Sequence, residues 1–394
     1  MQSNDFGNIH SANRLLSSAL GRRRLLKGAG ITLTGAGAAL LFGCGDDDGP
    51  GKSLDPNAPP EVTTIRIPHE YAICTAPQYV ARDFLAEEGF TDVQYVSISR
   101  LSAINAGLAD GSFDISLNFI APVLVGIDQG EPLLVLGSVH VGCFELFAQD
   151  GIELDGLAGK TIAIGQASAV AADFAFMTSI LKFVGVDPGD KLVARSRDQM
   201  LNQFTNGSID AVLVYPPLSQ QLRTFKVGHV ILNGHVDRPY VNYFCCSIVA
   251  RRAWAEANPS AARRAVRAIL RGADLCAQEP ERAARYLFEH GFVGTYEYAL
   301  DAMNSLPYDV WRSSEPEDTM RFYANRLFEA GVLKKTADDL IARGSDWRYF
   351  NELRQEMAFA PGFEISPRAA QFGCVIDASG ALIRSPGIER EARA

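Results

Sequence analysis

The sequence lacks the short motifs that identify several large enzyme classes. It contains no Gly-x-Ser-x-Gly string, no Gly-x-x-x-x-Gly-Lys-Ser/Thr phosphate loop and no His-Glu-x-x-His zinc string. Each of these strings places a nucleophile, a phosphate cradle or a pair of metal ligands on one short segment. Their absence argues against a serine hydrolase, a P-loop nucleotidase or a zinc protease. We therefore expect no catalytic residues and no cofactor.

Cysteine and histidine are scarce and scattered. The chain has seven cysteines and six histidines among 394 residues, and no two cysteines have Cys-x-x-Cys spacing. We expect neither a disulfide-built scaffold nor a metal site. Cys245 and Cys246 are adjacent, so a regular strand would point them to opposite faces of its sheet. Buried packing is the interpretation we favour for this pair, and a redox or metal role is the alternative.

Basic residues are outnumbered, and long apolar runs are missing. The chain has 37 Lys and Arg against 46 Asp and Glu, which gives a formal net charge of −9. Nucleic-acid binding needs a basic face, so we expect no nucleic-acid partner.

The uncharged stretch Gly28–Gly43 has 16 residues, whereas a membrane-spanning helix needs about 20 apolar residues. This stretch is therefore too short to span a bilayer comfortably.

The N-terminal segment has the features of an export signal. The basic cluster Arg22–Lys27 resembles the twin-arginine motif, and Leu41–Cys44 resembles a lipobox, in which the cysteine becomes the lipidated first residue. We predict a signal peptide over residues 1–43 and lipidation of Cys44. A soluble exported protein cut nearby is the alternative. Residues 44–60 are rich in Gly, Asp and Pro, which predicts a flexible tether.

From residue 61 onward, short strand patterns alternate with helical patterns. Thr64–Ile67, Val93–Ile98 and Phe113–Leu117 have strand character, and residues 77–88 and 101–108 between them have helical character. The same order recurs between residues 161 and 214. Strands separated by helices indicate βαβ units and a mainly parallel sheet.

One string occurs twice, once in each of these units. Gly111–Ile115 and Gly207–Ala211 both read Gly-Ser, then an apolar residue, then Asp before a strand. We interpret Asp114 and Asp210 as turn residues rather than binding residues. The repetition predicts two similar α/β lobes.

A strand-like stretch, Tyr243–Ala250, is followed by helical patterns to about residue 355. Asn258 and Pro259 have the character of an N-cap and first helical residue. Apolar residues recur at helical spacing after them. The opposite face carries three arginines and is predicted to be solvated: Arg263, Arg264 and Arg267.

An ordered set of strings resembles a known family. Its members are Tyr79–Ala81, Asn105–Asp114, Gly142–Phe147, Leu157–Ala163, Asn206–Asp210, Trp254–Pro259 and Gly344–Leu353. The chain resembles the extracytoplasmic binding proteins for nitrate, taurine and aliphatic sulfonates, which share a fold with thiamine-pyrimidine precursor binders and synthases. The resemblance implies an α/β periplasmic-binding-protein type II fold: two α/β lobes, a ligand cleft between them and two hinge crossings.

The resemblance also implies domain boundaries and partners. We expect lobe 1 over residues 61–141 and 247–355, lobe 2 over residues 142–246, and a C-terminal extension over residues 356–394. The implied protein is an exported, lipid-anchored monomer on the outer face of the cytoplasmic membrane. It would capture a small polar organic molecule or an anion and deliver it to an ABC permease with its ATPase.

Candidate ligand-binding residues follow from the predicted topology. Ligands of open parallel α/β sheets bind beyond the carboxyl ends of strands, where helix N-termini present free N–H groups. The loops and strand ends in these positions carry Tyr71, Asn118, Phe119, Gln166, Ser168 and Tyr215. An ordinary helix cap is the alternative role of Ser168. For each aromatic residue, packing within the protein is the alternative to ligand contact.

Two further candidates lie near the predicted crossings. Glu145 lies in an otherwise apolar string, so its carboxylate must be paired or near water. It either binds an NH donor of the ligand, pairs with an arginine such as Arg100, or caps a turn. Asn242 lies at the predicted return crossing and would approach the ligand there.

Three functions are compatible with this reading. A transport receptor needs no catalytic group and is the one we expect. A thiamine-pyrimidine precursor binder, or a related pyrimidine synthase-like enzyme, is the alternative within the same fold. A ligand sensor with a signalling partner is the third, and sequence alone does not separate it from a transport receptor.

Overall fold

The structure is a computed structural model, which describes residues 55, 58–98, 102–168, 171–187, 192–313, 315–358, 374–376 and 382–384. The predicted signal peptide and Cys44 lie outside these residues. None of the helices in the described ranges has the length and apolarity that a membrane span requires.

The first part of the body contains four strands and four helices. In chain order they are β1 (Thr64–His69), α1 (Ala76–Val80), α2 (Arg82–Glu87), β2 (Asp92–Ser97), α3 (Ala103–Asp110), β3 (Ile115–Phe119), α4 (Ile120–Gln129) and β4 (Leu133–Val141). β1 and β2 pair in parallel. β3 and β4 are buried along their whole length, which explains why both strands have few polar side chains.

The second part forms a separate five-stranded sheet. Its elements are β5 (Glu145–Ala148), β6 (Ile162–Ile164), α5 (Ala172–Phe183), β7 (Leu192–Ala194), α6 (Arg197–Thr205), β8 (Ala211–Val214), α7 (Leu218–Phe225) and β9 (His229–Asn233). The strand order is β7-β6-β8-β5-β9. β6 pairs in parallel with β7 and β8, whereas β5 is antiparallel to β8 and β9.

The chain then returns to the first part with β10 (Phe244–Arg251), which lies between β3 and β4 and is antiparallel to both. Helices follow: α8 (Arg252–Ala257), α9 (Pro259–Gln278), α10 (Pro280–Glu289), α11 (Tyr296–Ser305), α12 (Pro316–Glu329), α13 (Ala337–Gly344) and α14 (Arg348–Ala358). We call the part with β1–β4 and β10 the first lobe, and the part with the five-stranded sheet the second lobe. The α/β fold with two lobes and two crossings is confirmed.

Several local predictions were wrong. The sheets are mixed rather than mainly parallel, because β5, β9 and β10 run against their neighbours. Helices α4 and α7 and strand β9 were not predicted. The apolar residues of α4 are buried on all its faces, so the segment has no amphipathic period by which a helix could be recognised.

The two repeated aspartates occupy equivalent positions in the two lobes. Asp114 Oδ2 accepts a hydrogen bond of 2.9 Å from the backbone N–H of Arg66 in β1. Asp210 Oδ2 accepts one of 2.7 Å from the backbone N–H of Thr161, which precedes β6. Each carboxylate therefore binds the backbone of a segment 48 or 49 residues away in the sequence, rather than the backbone of its own turn as a turn role would require.

The arginine face of α9 is not solvated as predicted. Arg263 is buried and pairs with Glu352 and Glu356. Arg267 pairs with the buried Glu88 at 2.5 Å. The sequence pattern indicates which face of a helix is polar, but α14 and the end of α2 cover this face with carboxylates.

The predicted tether does not extend to residue 60. The carbonyl of Ala58 accepts hydrogen bonds of 2.9 Å from Ser260 Oγ and Arg264 Nε. Glu61 accepts hydrogen bonds of 2.9 and 2.8 Å from the backbone N–H groups of Ser260 and Ala261. Residues 58–61 are thus docked on α9.

The predicted N-terminus of α9 is confirmed, with Asn258 as its N-cap residue and Pro259 as its first residue. The Asn258 side chain, however, makes no cap hydrogen bond. Its amide instead donates to the carbonyl of Trp254 at 2.8 Å. The carboxylate of Glu61 satisfies the free N–H groups of the first turn in its place.

The C-terminal extension begins later than predicted, since residues 356–358 belong to α14. Farther along, β11 (Cys374–Ile376) and β12 (Leu382–Arg384) form an antiparallel pair.

Candidate ligand-binding site

A cavity of about 550 Å³ lies between the two lobes, and we call it the cleft cavity. Its lining residues are Tyr71, Ser102, Gly165, Gln166, Ala171, Asp173, Arg195, Ser196, Arg197, Met200, Leu213, Val214, Tyr215, Pro217 and Leu218. Tyr71 and Ser102 come from the first lobe, and the other residues come from the second. The volume lies within the range of small-molecule sites, about 300–1,000 Å³.

The topology of the second lobe explains why these residues converge. Gly165 and Gln166 follow β6, Arg195 follows β7, and Tyr215 follows β8. Because these strands are parallel, their carboxyl ends meet at one edge of the sheet. The loops at this edge face the first lobe and form most of the cleft.

Arginines supply much of the charge of the cleft cavity. The guanidinium of Arg197 lies 4.5 Å from the centroid of the Tyr71 ring, across the cleft. Arg195 donates from Nε to Gln203 at 2.7 Å, which orients its side chain. Two guanidinium groups at one opening favour an anionic ligand.

A buried carboxyl group also lines the cleft cavity. Asp173 Oδ2 accepts a hydrogen bond of 2.9 Å from the backbone N–H of Gln166. Burial raises the pKa of Asp173 above its usual value, although these backbone hydrogen bonds oppose the shift. Asp173 therefore holds the loop after β6 in place.

A second, smaller cavity of about 20 Å³ lies deeper, and we call it the thiol cavity. Its lining residues are Glu70, Cys74, Thr75, Asn118, Phe119, Cys143, Phe144, Tyr215, Cys245 and Cys246. Tyr215 lines both cavities, so the thiol cavity adjoins the cleft cavity. Burial raises the pKa of Tyr215 well above its usual value, which keeps the phenol neutral.

Three thiols from distant parts of the sequence meet in the thiol cavity. The Sγ atoms of Cys74, Cys143 and Cys246 all lie within 4.8 Å of one another, and all three residues are buried. Hydrogen bonds from Cys143 and Cys246 hold the pKa of the Cys74 thiol well below its usual range. The scattered positions in the sequence did not reveal this cluster.

The prediction that Cys245 and Cys246 face opposite ways was wrong. The pairing of β10 with β4 shifts register between Phe244 and Cys246, so Cys245 is the extra residue of a bulge. A bulge breaks the alternation of side chains along a strand. Both cysteines therefore line the thiol cavity.

The predicted site residues are divided among several environments. Tyr71, Gln166 and Tyr215 line the cleft cavity, and Asn118 and Phe119 line the thiol cavity. Asn118 donates to Asn105 at 2.8 Å, and Phe119 packs edge-on against three aromatic rings: Phe144, Phe176 and Tyr323.

Three predicted site residues line neither cavity, and two of them are exposed. Ser168 is exposed, and its carbonyl accepts a hydrogen bond of 2.8 Å from Ala171 N–H. Asn242 is exposed in a short 3-10 helix before β10.

Glu145 is likewise absent from the walls of both cavities. Its carboxylate is 1 % exposed and forms an ion pair with Arg223, a residue of α7. Burial raises the pKa of Glu145, and the charge of Arg223 opposes that shift. The geometry favours the ion-pair alternative over ligand contact. The partner is Arg223 rather than Arg100, which lies outside the described residues.

Sequence reasoning missed Arg195, Arg197 and Asp173. The signal for the two arginines was available, because the string Arg195–Arg197 follows a predicted strand and precedes a predicted helix. Asp173 lies in the first turn of α5, which the sequence also predicted as a helix. Applying the strand-end rule to every βα loop would have found the two arginines, but not Asp173, which lies within the helix.

Two α/β lobes with a cavity between them define a periplasmic-binding-protein fold. Residues 58–287 match the family model described as the NMT1-like family. The match covers more than half of the chain, and the protein therefore belongs to the NMT1-like family. No curated protein matches the chain at a significant level.

Solved structures are similar to this chain in fold. The periplasmic nitrate-binding protein NrtA from Synechocystis PCC 6803 has a TM-score of 0.65 at 16 % identity, covering 83 % of this chain and 97 % of that one. The zinc-bound ligand-binding component of an ABC-type import system from Staphylococcus aureus has a TM-score of 0.62 at 13 % identity, covering 74 % and 99 %.

The alkanesulfonate-binding protein SsuA from Xanthomonas axonopodis pv. citri, bound to MOPS, has a TM-score of 0.59 at 16 % identity. The similarity covers 73 % of this chain and 99 % of that one. These relatives are described as binding proteins or ligand-binding components, not as enzymes. At these identities, the similarity establishes the shared fold.

Proposed function

We propose that this protein is the substrate-binding component of an ABC importer and captures a small organic anion in the cleft cavity. The observation that carries the proposal is the 550 Å³ cavity between the lobes, with Arg195 and Arg197 in its wall. The structural relatives that bind nitrate and alkanesulfonates support an anionic ligand.

The walls of the cleft cavity also contain apolar and aromatic side chains, which indicate what kind of anion would bind. Met200, Leu213, Val214 and Leu218 provide an apolar side, and the rings of Tyr71 and Tyr215 provide aromatic surface. A ligand with a carboxylate or sulfonate head and an apolar body would use both features. Glu145 was the reason to expect a cationic or NH-donor group, and its pairing with Arg223 removes that reason.

Calorimetric titration of the purified protein with nitrate, taurine, longer alkanesulfonates and aromatic carboxylates tests the proposal. We expect reversible 1:1 binding of an organic anion and recovery of that anion unchanged. Arg197→Gln should lower its affinity about 10-fold or more, because a charged hydrogen bond contributes about 1.5–3 kcal/mol. Arg282→Gln is the matched control, since the exposed Arg282 pairs only locally with Glu279. Equal affinity in both variants would contradict the proposal.

A thiamine-pyrimidine precursor is the second candidate ligand. The rings of Tyr71 and Tyr215 in the cavity wall are the observation that favours a flat heterocycle. An aminopyrimidine therefore belongs in the same titration panel. Consumption of the ligand, or of a protein side chain, would instead favour a synthase-like enzyme.

We also propose the cellular setting of this receptor. The basic cluster Arg22–Lys27 and the string Leu41–Cys44 support twin-arginine export and lipidation of Cys44. The protein would then act as a monomer on the outer face of the cytoplasmic membrane. It would deliver the anion to a permease with its ATPase.

The predicted domain boundaries remain part of this proposal. The strand membership of the sheets supports a division into lobe 1 (residues 61–141 and 247–355) and lobe 2 (residues 142–246), except at the return crossing. There β10 pairs with β3 and β4 from Phe244 onward, so we move the boundary from residue 246 to a position before Phe244.

A further inference from the structure

We propose that Cys74, Cys143 and Cys246 form a three-thiolate site for monovalent copper in the thiol cavity, next to the cleft cavity. This site is additional to the solute site and does not depend on which solute enters the cleft cavity.

The spacing of the three sulfur atoms suits one metal ion. The Sγ atoms lie within 4.8 Å of one another. Three sulfurs placed trigonally at a metal–sulfur distance of about 2.3 Å would be about 4 Å apart. Small side-chain rotations would bring the thiols to that distance, and the cavity of about 20 Å³ between them provides room for an ion.

The elements that carry the thiols are held by the fold. Cys74 lies in a short 3-10 helix between β1 and α1. Cys143 follows β4 at the first crossing, and Cys246 lies in β10, which pairs with both β3 and β4. Because each residue belongs to a different segment, the site exists only in the folded protein.

A second observation independently indicates a ligand in this cavity. Glu70 lines it and is 6 % exposed, and its Oε2 atom is buried without a hydrogen-bond partner among the described residues. A buried carboxyl oxygen without a partner is costly. A thiol polarised by the bound ion would give it one.

The number and softness of the ligands favour monovalent copper over zinc. Structural zinc sites are closed by four ligands, whereas only three metal-binding side chains in the described part of the chain come this close together. Thiolates without oxygen or imidazole ligands select soft ions such as monovalent copper. Cys245 lies beside the three thiols in the cavity wall and would support them as an outer partner.

The full-length protein, reduced and kept free of oxygen, provides the test. It is titrated with monovalent copper in competition with a copper-specific chelator, and the copper-loaded protein is studied by X-ray absorption. We expect one tightly held copper per chain with three sulfur neighbours. A first shell with two sulfurs, or one containing nitrogen or oxygen, would overturn the proposal. So would failure to compete with the chelator.

Variants provide a second measurement. Cys143→Ser and Cys246→Ser should each lower copper affinity by more than about 100-fold, since even outer-shell changes cost about 10–100-fold. Cys276→Ser is the matched control, because Cys276 is equally buried but lies in α9, outside the cluster. Equal losses in all three variants would refute the site.

Two further results separate this inference from the proposed transport role. Arg197→Gln should weaken anion binding and leave copper affinity unchanged, so each proposal can fail alone.

Mass spectrometry of the protein from exporting cells should find the four cavity thiols reduced or metal-bound. A disulfide among Cys74, Cys143, Cys245 and Cys246 in the exported protein would show that these cysteines bond to one another rather than to a metal. That result would overturn the proposal.

Discussion

The guanidinium of Arg197 in the second lobe lies 4.5 Å from the ring centroid of Tyr71 in the first lobe. The Tyr71 hydroxyl accepts a hydrogen bond of 3.0 Å from the backbone N–H of Gly294, which keeps the ring in place. The two residues thus form a contact across the mouth of the cleft. Closure of two lobes around a ligand is an established motion of binding proteins.

Removal of the Tyr71 ring should weaken closure. Exposed cation–π contacts contribute about 0.5–1 kcal/mol, so Tyr71→Ala should lower ligand affinity about 2–5-fold. It should also increase the radius of gyration of the ligand-free protein in X-ray scattering. Tyr71→Phe is the control, because it keeps the ring and should remain close to wild type. If both variants behave alike, the ring does not bridge the lobes.

The ion pair of Glu145 and Arg223 should respond asymmetrically to mutation. Glu145 is fully buried, whereas the Arg223 side chain is 39 % exposed. Arg223→Ala leaves a buried carboxylate unpaired and should cost about 3–5 kcal/mol of unfolding free energy at neutral pH. Glu145→Gln leaves a guanidinium that water can reach, so its cost should be smaller. Chemical denaturation of both variants checks this order.

The same pair should give Arg223→Ala a distinct pH dependence. The folded-state pKa of Glu145 is already raised by burial, and loss of Arg223 raises it further. The folded protein then binds the proton more tightly than the unfolded chain, so unfolding free energy falls as pH rises through that pKa. Acidification from neutral pH towards the ordinary carboxyl pKa should recover part of the loss in Arg223→Ala. A loss independent of pH would show that Glu145 is not the cause.

Gly142 should tolerate no side chain. It follows β4 at the first crossing with a φ of +34°, and a Cβ there would lie 2.0 Å from the carbonyl carbon of Gly234. Gly142→Ala should therefore cost about 3 kcal/mol or more, the upper part of the range for overpacking. Gly185→Ala separates strain from collision, because Gly185 has a φ of +73° and open space around it. The control should cost about 1 kcal/mol, and equal thermal unfolding of the two variants would contradict the close approach.

Glu61 should stabilise α9 from outside the helix. Its carboxylate accepts both backbone hydrogen bonds from Ser260 and Ala261. Glu61→Ala should lower the unfolding free energy by about 0.5–2 kcal/mol, as for loss of a helix cap. Glu61→Gln keeps one acceptor oxygen and should cost less. An unchanged melting temperature in Glu61→Ala would show that the first turn of α9 needs no acceptor.

Cys44 should carry the membrane anchor. Labelled palmitate should attach to the wild-type protein and not to Cys44→Ala, because the Leu41–Cys44 string supplies one acceptor thiol. Cell fractionation should then release Cys44→Ala from the membrane. Cys374→Ala, which alters a cysteine far from the string, should be labelled like the wild type. Equal labelling of Cys44→Ala would exclude this cysteine as the lipid site.

The sequence by itself determined the fold class and the doubling of the lobes. The strings around Asp114 and Asp210 are local patterns that recur, and the two aspartates occupy equivalent positions in the two lobes. Strand and helix periods depend on neighbours a few residues apart. Such patterns are therefore readable without coordinates, and they also placed Tyr71, Gln166 and Tyr215 at the cleft.

Only the tertiary structure decided which distant side chains meet. Cys74, Cys143 and Cys246 are far apart in the sequence, and a β-bulge turns Cys245 to their side. Glu145 reaches Arg223 because β5 and α7 lie in the same lobe. These contacts depend on the path of the whole chain and on the register of β10. A local pattern carries no information about either, because it extends over only a few residues.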